Sequence, residues 1–172
     1  MKAPILIDPG LDPRWDELVK SHPMGHIYHL AAWKKILESS FPHIRGHHLA
    51  IPNDDGRALR AGLPVYEVRS WLTVNRLVAA SFATLCDPLG SGPEDLGLLL
   101  DKVMQTARDR RSKHVEIRTL DAGPWFAGKG FGESRYYLHH FIRLDSSLDD
   151  IWKKFHRTCV RQRVTRSESS DL

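Results

Sequence analysis

The stretch "SGPEDLGLLLDKVMQTARDRRSK" constrains the fold more than any other. Leu96, Leu99, Leu100, Val103, Met104 and Ala107 recur at helical spacing and form one apolar stripe. Glu94 and Asp95 stand in the positive first turn of that helix, and Arg108, Arg110 and Arg111 in its negative last turn. On either side lie "RLVAASFATL" and "HVEIRTL", which read as strands. The first is almost continuously apolar, as in a strand buried on both faces. A mixed sheet with helices on its faces accommodates these elements.

The rest of the chain extends the pattern. "DPRWDELVKSHP" predicts a short helix with Pro13 at its start, and Trp15, Leu18 and Val19 on one face. "GHIYHLAAWKKILESSFP" predicts a turn into a helix over about 29–40, with Leu30, Trp33 and Leu37 turned inward and Pro42 ending it. Residues 43–70 read as a hairpin around "NDDG". "DAGPWFAGKGFGES" is a Gly-rich loop whose Trp125 and Phe126 serve either as a mobile lid or as packing against the sheet. "YYLHHFIRL" reads as a strand, and "SLDDIWKKFHRTCVRQRV" as a final helix capped by Ser with Asp150 near its third position. The expected fold class is α/β.

The 172 residues fit one domain. With 41% hydrophobic and 27% charged residues, the chain can build a core. It has no apolar run of membrane-spanning length and no signal-peptide pattern, so no membrane span is expected. Cys86 and Cys159 form no disulfide framework, and the chain reads as cytoplasmic.

Net charge is +4, but six of the fourteen residues 153–166 are Lys or Arg and none is acidic. The remainder therefore carries 4 − 6 = −2. On a helix, Trp152, Phe155 and Cys159 share a stripe; Lys153, Lys154, Arg157 and Arg161 lie mostly opposite, and Arg163 and Arg166 return to the stripe side. Such a helix calls for a covering surface or an anion. The alternatives are a solvated, frayed tail or a nucleic-acid contact made through phosphates alone, since no aromatic residue follows Phe155 to stack on bases.

The phrases "HIYHLAAWKKIL", "GLPVYEVRSWL", "LCDPLG", "HVEIRTL" and "LHHFIRLDSSLDDIWKKFHRTCVRQRVTRSE" come in the order seen in FemAB-like acyltransferases, a GNAT-like family. The chain resembles the N-terminal half of such an enzyme, of the envelope- or exopolysaccharide-associated type. The resemblance implies a single GNAT-like domain over 1–147, and over 148–172 a helix expected to open a second GNAT-like half that is absent. It implies the acceptor-side half of an acyl or aminoacyl transferase, inactive alone. Its partners would be an envelope precursor or other amine acceptor, aminoacyl-tRNA in the complete enzyme, and the missing domain or a homodimer partner. By this resemblance the second helix borders the acceptor cleft, so Trp33, Lys34 and Lys35 are candidate substrate contacts. The family's best-matched Lys spacing, however, falls on Leu37. Arg118 lines the same cleft or pairs with Glu116. Arg157, Arg161, Arg163 and Arg166 are the candidate interface or anion contacts. Catalytic residues are not identifiable. The non-enzymatic alternatives are a binding or assembly module and a basic-tail nucleic-acid binder.

No cofactor is expected. In the turn "CDPLGSGPEDL", Asp87 stands where an acetyl-CoA loop wants an amide or a base; Pro93 lacks an N–H, and Glu94 and Asp95 repel a pyrophosphate. No metal is expected either, because the doublets His47–His48 and His139–His140 point to opposite faces of their strands.

Overall fold

A computed structural model describes residues 2–70, 74–120, 122–126, 128–133, 138 and 140–170. The chain forms two compact units, Met1–Ser134 and Arg135–Leu172.

The first unit opens with strand β1 (Ile5–Ile7) and helix α1 (Arg14–Ser21), which buries Trp15, Leu18 and Val19. Pro13 caps α1 rather than opening its first turn. A 3-10 turn (Ile27–His29) leads into helix α2 (Ala31–Ser40). Leu37 is the fully buried residue of α2, with Leu30 and Trp33 half-buried beside it.

The hairpin expected over 43–70 is present and long. Strands β2 (Ile44–Gly46) and β3 (His48–Pro52) form one arm, β4 (Leu59–Leu63) and β5 (Tyr66–Val68) the other. The pairs Ile44↔Val68 and Leu49↔Leu63 belong to one register, and His47 N donates to Val65 O at 2.6 Å between them. The ladder is interrupted where Pro64 has no N–H to give. This divides the sheet into a three-stranded part, β1-β3-β4, and a four-stranded part. At the tip, Gly56 takes a left-handed φ of 74° and its N–H bonds Asn53 O.

Strand β6 (Arg76–Val78) pairs antiparallel with β5. Helix α3 (Pro93–Asp109) buries Leu96, Leu99, Leu100, Val103 and Ala107, as its periodicity predicts. Strand β7 (His114–Glu116) then lies parallel to β6, completing the order β2-β5-β6-β7. The sheet is mixed, as expected. The main core joins Leu37, Ile44, Tyr66, Leu77, Leu99 and Val103 between α2, the sheet and α3. The Gly-rich loop holds a 3-10 turn (Gly123–Phe126); Phe126 packs edge-on against Phe131 at 5.1 Å while Trp125 is half-exposed.

In the second unit, the strand expected over 136–144 is not formed at its described residues, 138 and 140–144, and Leu138 and Leu144 are exposed. A strand needs a neighbour for its backbone groups, and no ladder partner exists for these residues among those described. Residues 136, 137 and 139 of that stretch lie outside the described residues. The final helix is two pieces. Helix α4 (Leu148–Lys154) starts at Ser147, whose side chain accepts from Asp150 N, as the sequence indicates. Phe155 and His156 are extended, and His156 Nδ1 accepts from Cys159 N, capping a new start. A wide turn (Arg157–Arg161) and helix α5 (Gln162–Glu168) follow. The single stripe through Cys159 is therefore broken, and Cys159 is exposed. Among the described residues no helix is long and apolar enough to cross a membrane.

Candidate functional site

The parallel pair β6–β7 ends abruptly. Ala79 N donates to Glu116 O at 2.9 Å, and the next bond across the pair is Cys86 N to Arg118 O at 2.7 Å. Residues 80–85 leave the ladder between these two bonds, which corrects the continuous strand expected from "RLVAASFATL". The cause is local. Ala80 and Phe82 adopt φ of 48° and 62°, left-handed values that cost a non-glycine residue roughly 1–2 kcal/mol each. Ala83 N closes a turn onto Ala80 O at 3.0 Å, placing Phe82 where such turns favour glycine.

Two of the sequence-identified residues pin this turn. Trp33 Nε1 donates to Ser81 O at 3.2 Å, and Arg118 Nη1 donates to Ala83 O at 2.9 Å. A neutral hydrogen bond adds about 1 kcal/mol net and one from a charged donor about 1.5–3, so pins and strain are of comparable size. Arg118 also pairs with Glu116 through Nε at 2.7 Å. Phe82 is 65% exposed and stacks on Phe41 with ring centroids 4.8 Å apart. Tyr28 meets Trp33 edge-on at 4.9 Å. The result is a half-exposed aromatic surface beside a guanidinium. Ser81 Oγ is buried beneath it with no hydrogen-bond partner among the described residues.

Below the turn lies a rigid polar layer. His29 Nε2 donates to Asp87 O at 2.9 Å, 3.5 Å from the buried Cys86 Sγ, and Trp15 Nε1 donates to His29 O at 2.6 Å. Burial pushes His29 down to about 4 and the Cys86 thiol well up, so both are neutral. The Asp87 carboxylate accepts from Leu120 N at 3.0 Å and Ala122 N at 3.2 Å, tying the chain beyond β7 to the loop beyond β6.

Lys34 and Lys35 stand apart from the turn. Lys34 Nζ bonds Glu38 at 2.9 Å and Asp8 at 3.3 Å, and its stem packs over Gly46. Lys35 is exposed on the solvent side of α2. In the second unit Arg157, Arg163 and Arg166 are exposed and Arg161 is half-buried; none has an acidic partner within 4 Å among the described residues. Sequence reasoning missed the turn itself, Phe82 and the inward bonding of Asp87. "AASFATL" contains neither glycine nor proline, so nothing in it signals a turn.

The histidine doublet 47–48 divides across the sheet. His47 pairs with the buried Glu67 at 3.1 Å, while His48 is fully buried between Trp15 and Tyr66. Among the described residues no three His, Cys, Asp or Glu side chains cluster as metal ligands.

The resemblance read from the sequence raises the question of an acyl-CoA pyrophosphate at the turn before α3. The residues do not fit it. Pro93 occupies the first helical position and has no N–H to offer, Glu94 stands exposed in the first turn, and Gly92 is extended with φ 178°. Asp95 is partly neutralised by Arg60 at 2.8 Å. Asp87 faces inward to backbone amides rather than toward the turn.

The strand order, the parallel β6–β7 pair that parts at its end, and α3 between them define a GNAT-like domain. Solved structures agree. The chain is similar to a probable acetyltransferase (TM-score 0.52, 15% identity, 84% of this chain and 99% of that one) and to FemX (TM-score 0.50, 16% identity, 63% of this chain). It spans 25% of the length of the FemX chain. A ribosomal-protein-alanine N-acetyltransferase from Brucella melitensis biovar Abortus 2308 is more distant, at TM-score 0.46 and 11% identity over 81% of this chain and 98% of that one. No family model and no curated protein sequence matches.

Proposed function

We propose that this chain is the acceptor-binding half of a FemAB-like acyl or aminoacyl transferase acting on an amine-bearing envelope precursor. The observation that carries the reading is the convergence of Trp33 and Arg118 on one strained turn at the mouth of the β6–β7 split. By the family resemblance α2 borders the acceptor cleft, and Trp33 of α2 and Arg118 meet at this turn. The turn before α3 is unsuited to acyl-CoA, which favours an acceptor role for this half. The overlap with FemX and the order of FemAB-like phrases support the same assignment. The chemistry is positioning: an activated acyl donor needs only an amine held beside it, and the guanidinium and the aromatic surface would hold the acceptor. The donor, aminoacyl-tRNA in the best-known relatives, would be held by a second GNAT-like half, so this chain alone is expected to bind without turnover. Calorimetry with a muramyl-peptide precursor bearing a free lysine amine tests the reading. Binding that weakens about tenfold in Arg118→Met supports it; no binding of precursor by the wild-type chain overturns it.

The cations Arg157, Arg161, Arg163 and Arg166, which have no acidic partner within 4 Å among the described residues, favour a second reading, contact with a polyanion such as nucleic acid. Counterion release would make affinity fall steeply with salt. A salt titration of RNA binding, with and without residues 153–172, decides: equal affinity for the two forms removes this reading.

A further inference from the structure

We propose that residues 80–85 form a strained lid with two arrangements, and that Trp33 and Arg118 are the latch that selects the closed one. Four observations carry it. Ala80 and Phe82 hold left-handed backbone that only glycine adopts freely. The excursion begins and ends on fixed points, the Ala79–Glu116 and Cys86–Arg118 hydrogen bonds, so it can rearrange without moving the sheet. The two hydrogen bonds that hold it come from side chains outside the loop, on α2 and just beyond β7, and accept on adjacent parts of the turn, Ser81 O and Ala83 O. Phe82 is 65% exposed and stacks on Phe41, while Ala80, Ser81 and Ala83 are buried, so the closed form is the resting one. Strain at Ala80 and Phe82 offsets part of what the latch and that burial contribute, which brings the open form within reach of a ligand.

When the lid opens, the indole N–H of Trp33 and the guanidinium of Arg118 lose their carbonyl partners and become donors for an incoming oxyanion or carbonyl. A ligand that takes Arg118 therefore favours the open form by mass action. That role rests on the acceptor-site reading; the two-state loop itself does not.

Amide hydrogen exchange of the full chain tests the device, read at Ala83, whose N–H closes the turn onto Ala80 O. Phe82→Ala and Phe82→Gly both delete the ring, but only glycine removes the strain at position 82. The Ala83 amide is expected to exchange about fivefold to tenfold more slowly in Phe82→Gly than in Phe82→Ala. Trp33→Phe and Arg118→Met each delete one latch bond and are expected to speed Ala83 exchange about fivefold, with Ala50 and Ile51 in β3 as unchanged controls. Equal exchange in the two Phe82 variants, or no acceleration in either latch variant, overturns the proposal. Because Phe82 is exposed, its two variants fold whatever the latch variants do. If the exchange pattern holds and no precursor binds, the lid stands and the acceptor reading falls.

Discussion

The β-carbon that Gly62 lacks would stand 2.6 Å from Cζ3 of Trp15. Gly62 sits inside β4, where it pairs with Ala50 on one side and bridges Leu89 on the other. Glycine weakens a strand interior; here its absence of side chain admits the indole. The ring cannot retreat, because Nε1 is bonded to His29 O and the side chain is wholly buried. Gly62→Ala is therefore expected to lose about 1–3 kcal/mol through overpacking, measured as a lower urea midpoint at unchanged m-value. Wild-type stability in that variant would mean that the indole is not wedged against β4.

Asp87 makes a second long-range tie. Its buried carboxylate serves the amides of Leu120 and Ala122. Asp87→Ala leaves those N–H groups without this acceptor, at a cost of roughly 1–3 kcal/mol. The loss should appear first as faster exchange of the Leu120 and Ala122 amides. If both amides keep wild-type protection, the carboxylate is not their acceptor.

Acid should unfold the protein through its buried histidines. Burial holds His48 down to about 3 and His29 to about 4, against 6.5 for a free imidazole. Both groups are depressed cations. The unfolded chain takes up their protons as pH falls below 6.5 and the folded chain does not, so stability is full above 6.5 and drains from there to about 4 for His29 and about 3 for His48. The slope is about 1.4 kcal/mol per pH unit for each group. Neither ring nitrogen of His48 has a hydrogen-bond partner among the described residues, and the ring lies edge-on to Trp15 and Tyr66. His48→Phe should therefore flatten the slope by one proton in urea melts from pH 7 to 4.5. An unchanged slope would show that His48 titrates normally.

Lys34 and Lys35 are neighbours in sequence with separate fates. Lys34→Ala removes bonds to Asp8 and Glu38 and the packing of its stem over Gly46, and should cost about 1 kcal/mol. Lys35→Ala should stay within about 0.5 kcal/mol of wild type. Neither should alter precursor affinity, because neither reaches the turn that Trp33 and Arg118 hold. A tenfold loss of affinity in Lys35→Ala would return α2's solvent face to the site.

What was legible in the sequence follows from which forces are local. Helix α3 was readable because its stripe and its charged ends lie within seventeen residues. The hairpin was readable because Asn53–Gly56 carries its own turn chemistry. The turn at 80–85 was not, because its cause is remote: Trp33 and Arg118 hold backbone that the local residues disfavour. Asp87 was misplaced for the same reason. The sequence shows it only as a residue unsuited to an anion turn, whereas its carboxylate is directed to amides more than thirty residues away. The terminal helix failed on one residue, because His156 offers its own ring nitrogen to the backbone and competes with helical bonding.

The second unit gives the last prediction. Helix α4 has seven residues and buries none of them, so packing contributes little and its ends decide whether it forms. Ser147 accepts from Asp150 N at 3.2 Å and donates from Oγ to the Asp150 carboxylate at 2.7 Å, while Asp149 and Asp150 favour the positive end and Lys153 and Lys154 the negative one. Ser147→Ala removes the cap and should cost about 1 kcal/mol of helix stability. For so short a helix that moves the local equilibrium about fivefold toward coil. Cα chemical shifts over 148–154 report it directly: they should fall toward coil values in Ser147→Ala while those of α3 stay fixed. Shifts that remain helical would mean that the Ser147 cap does not hold α4.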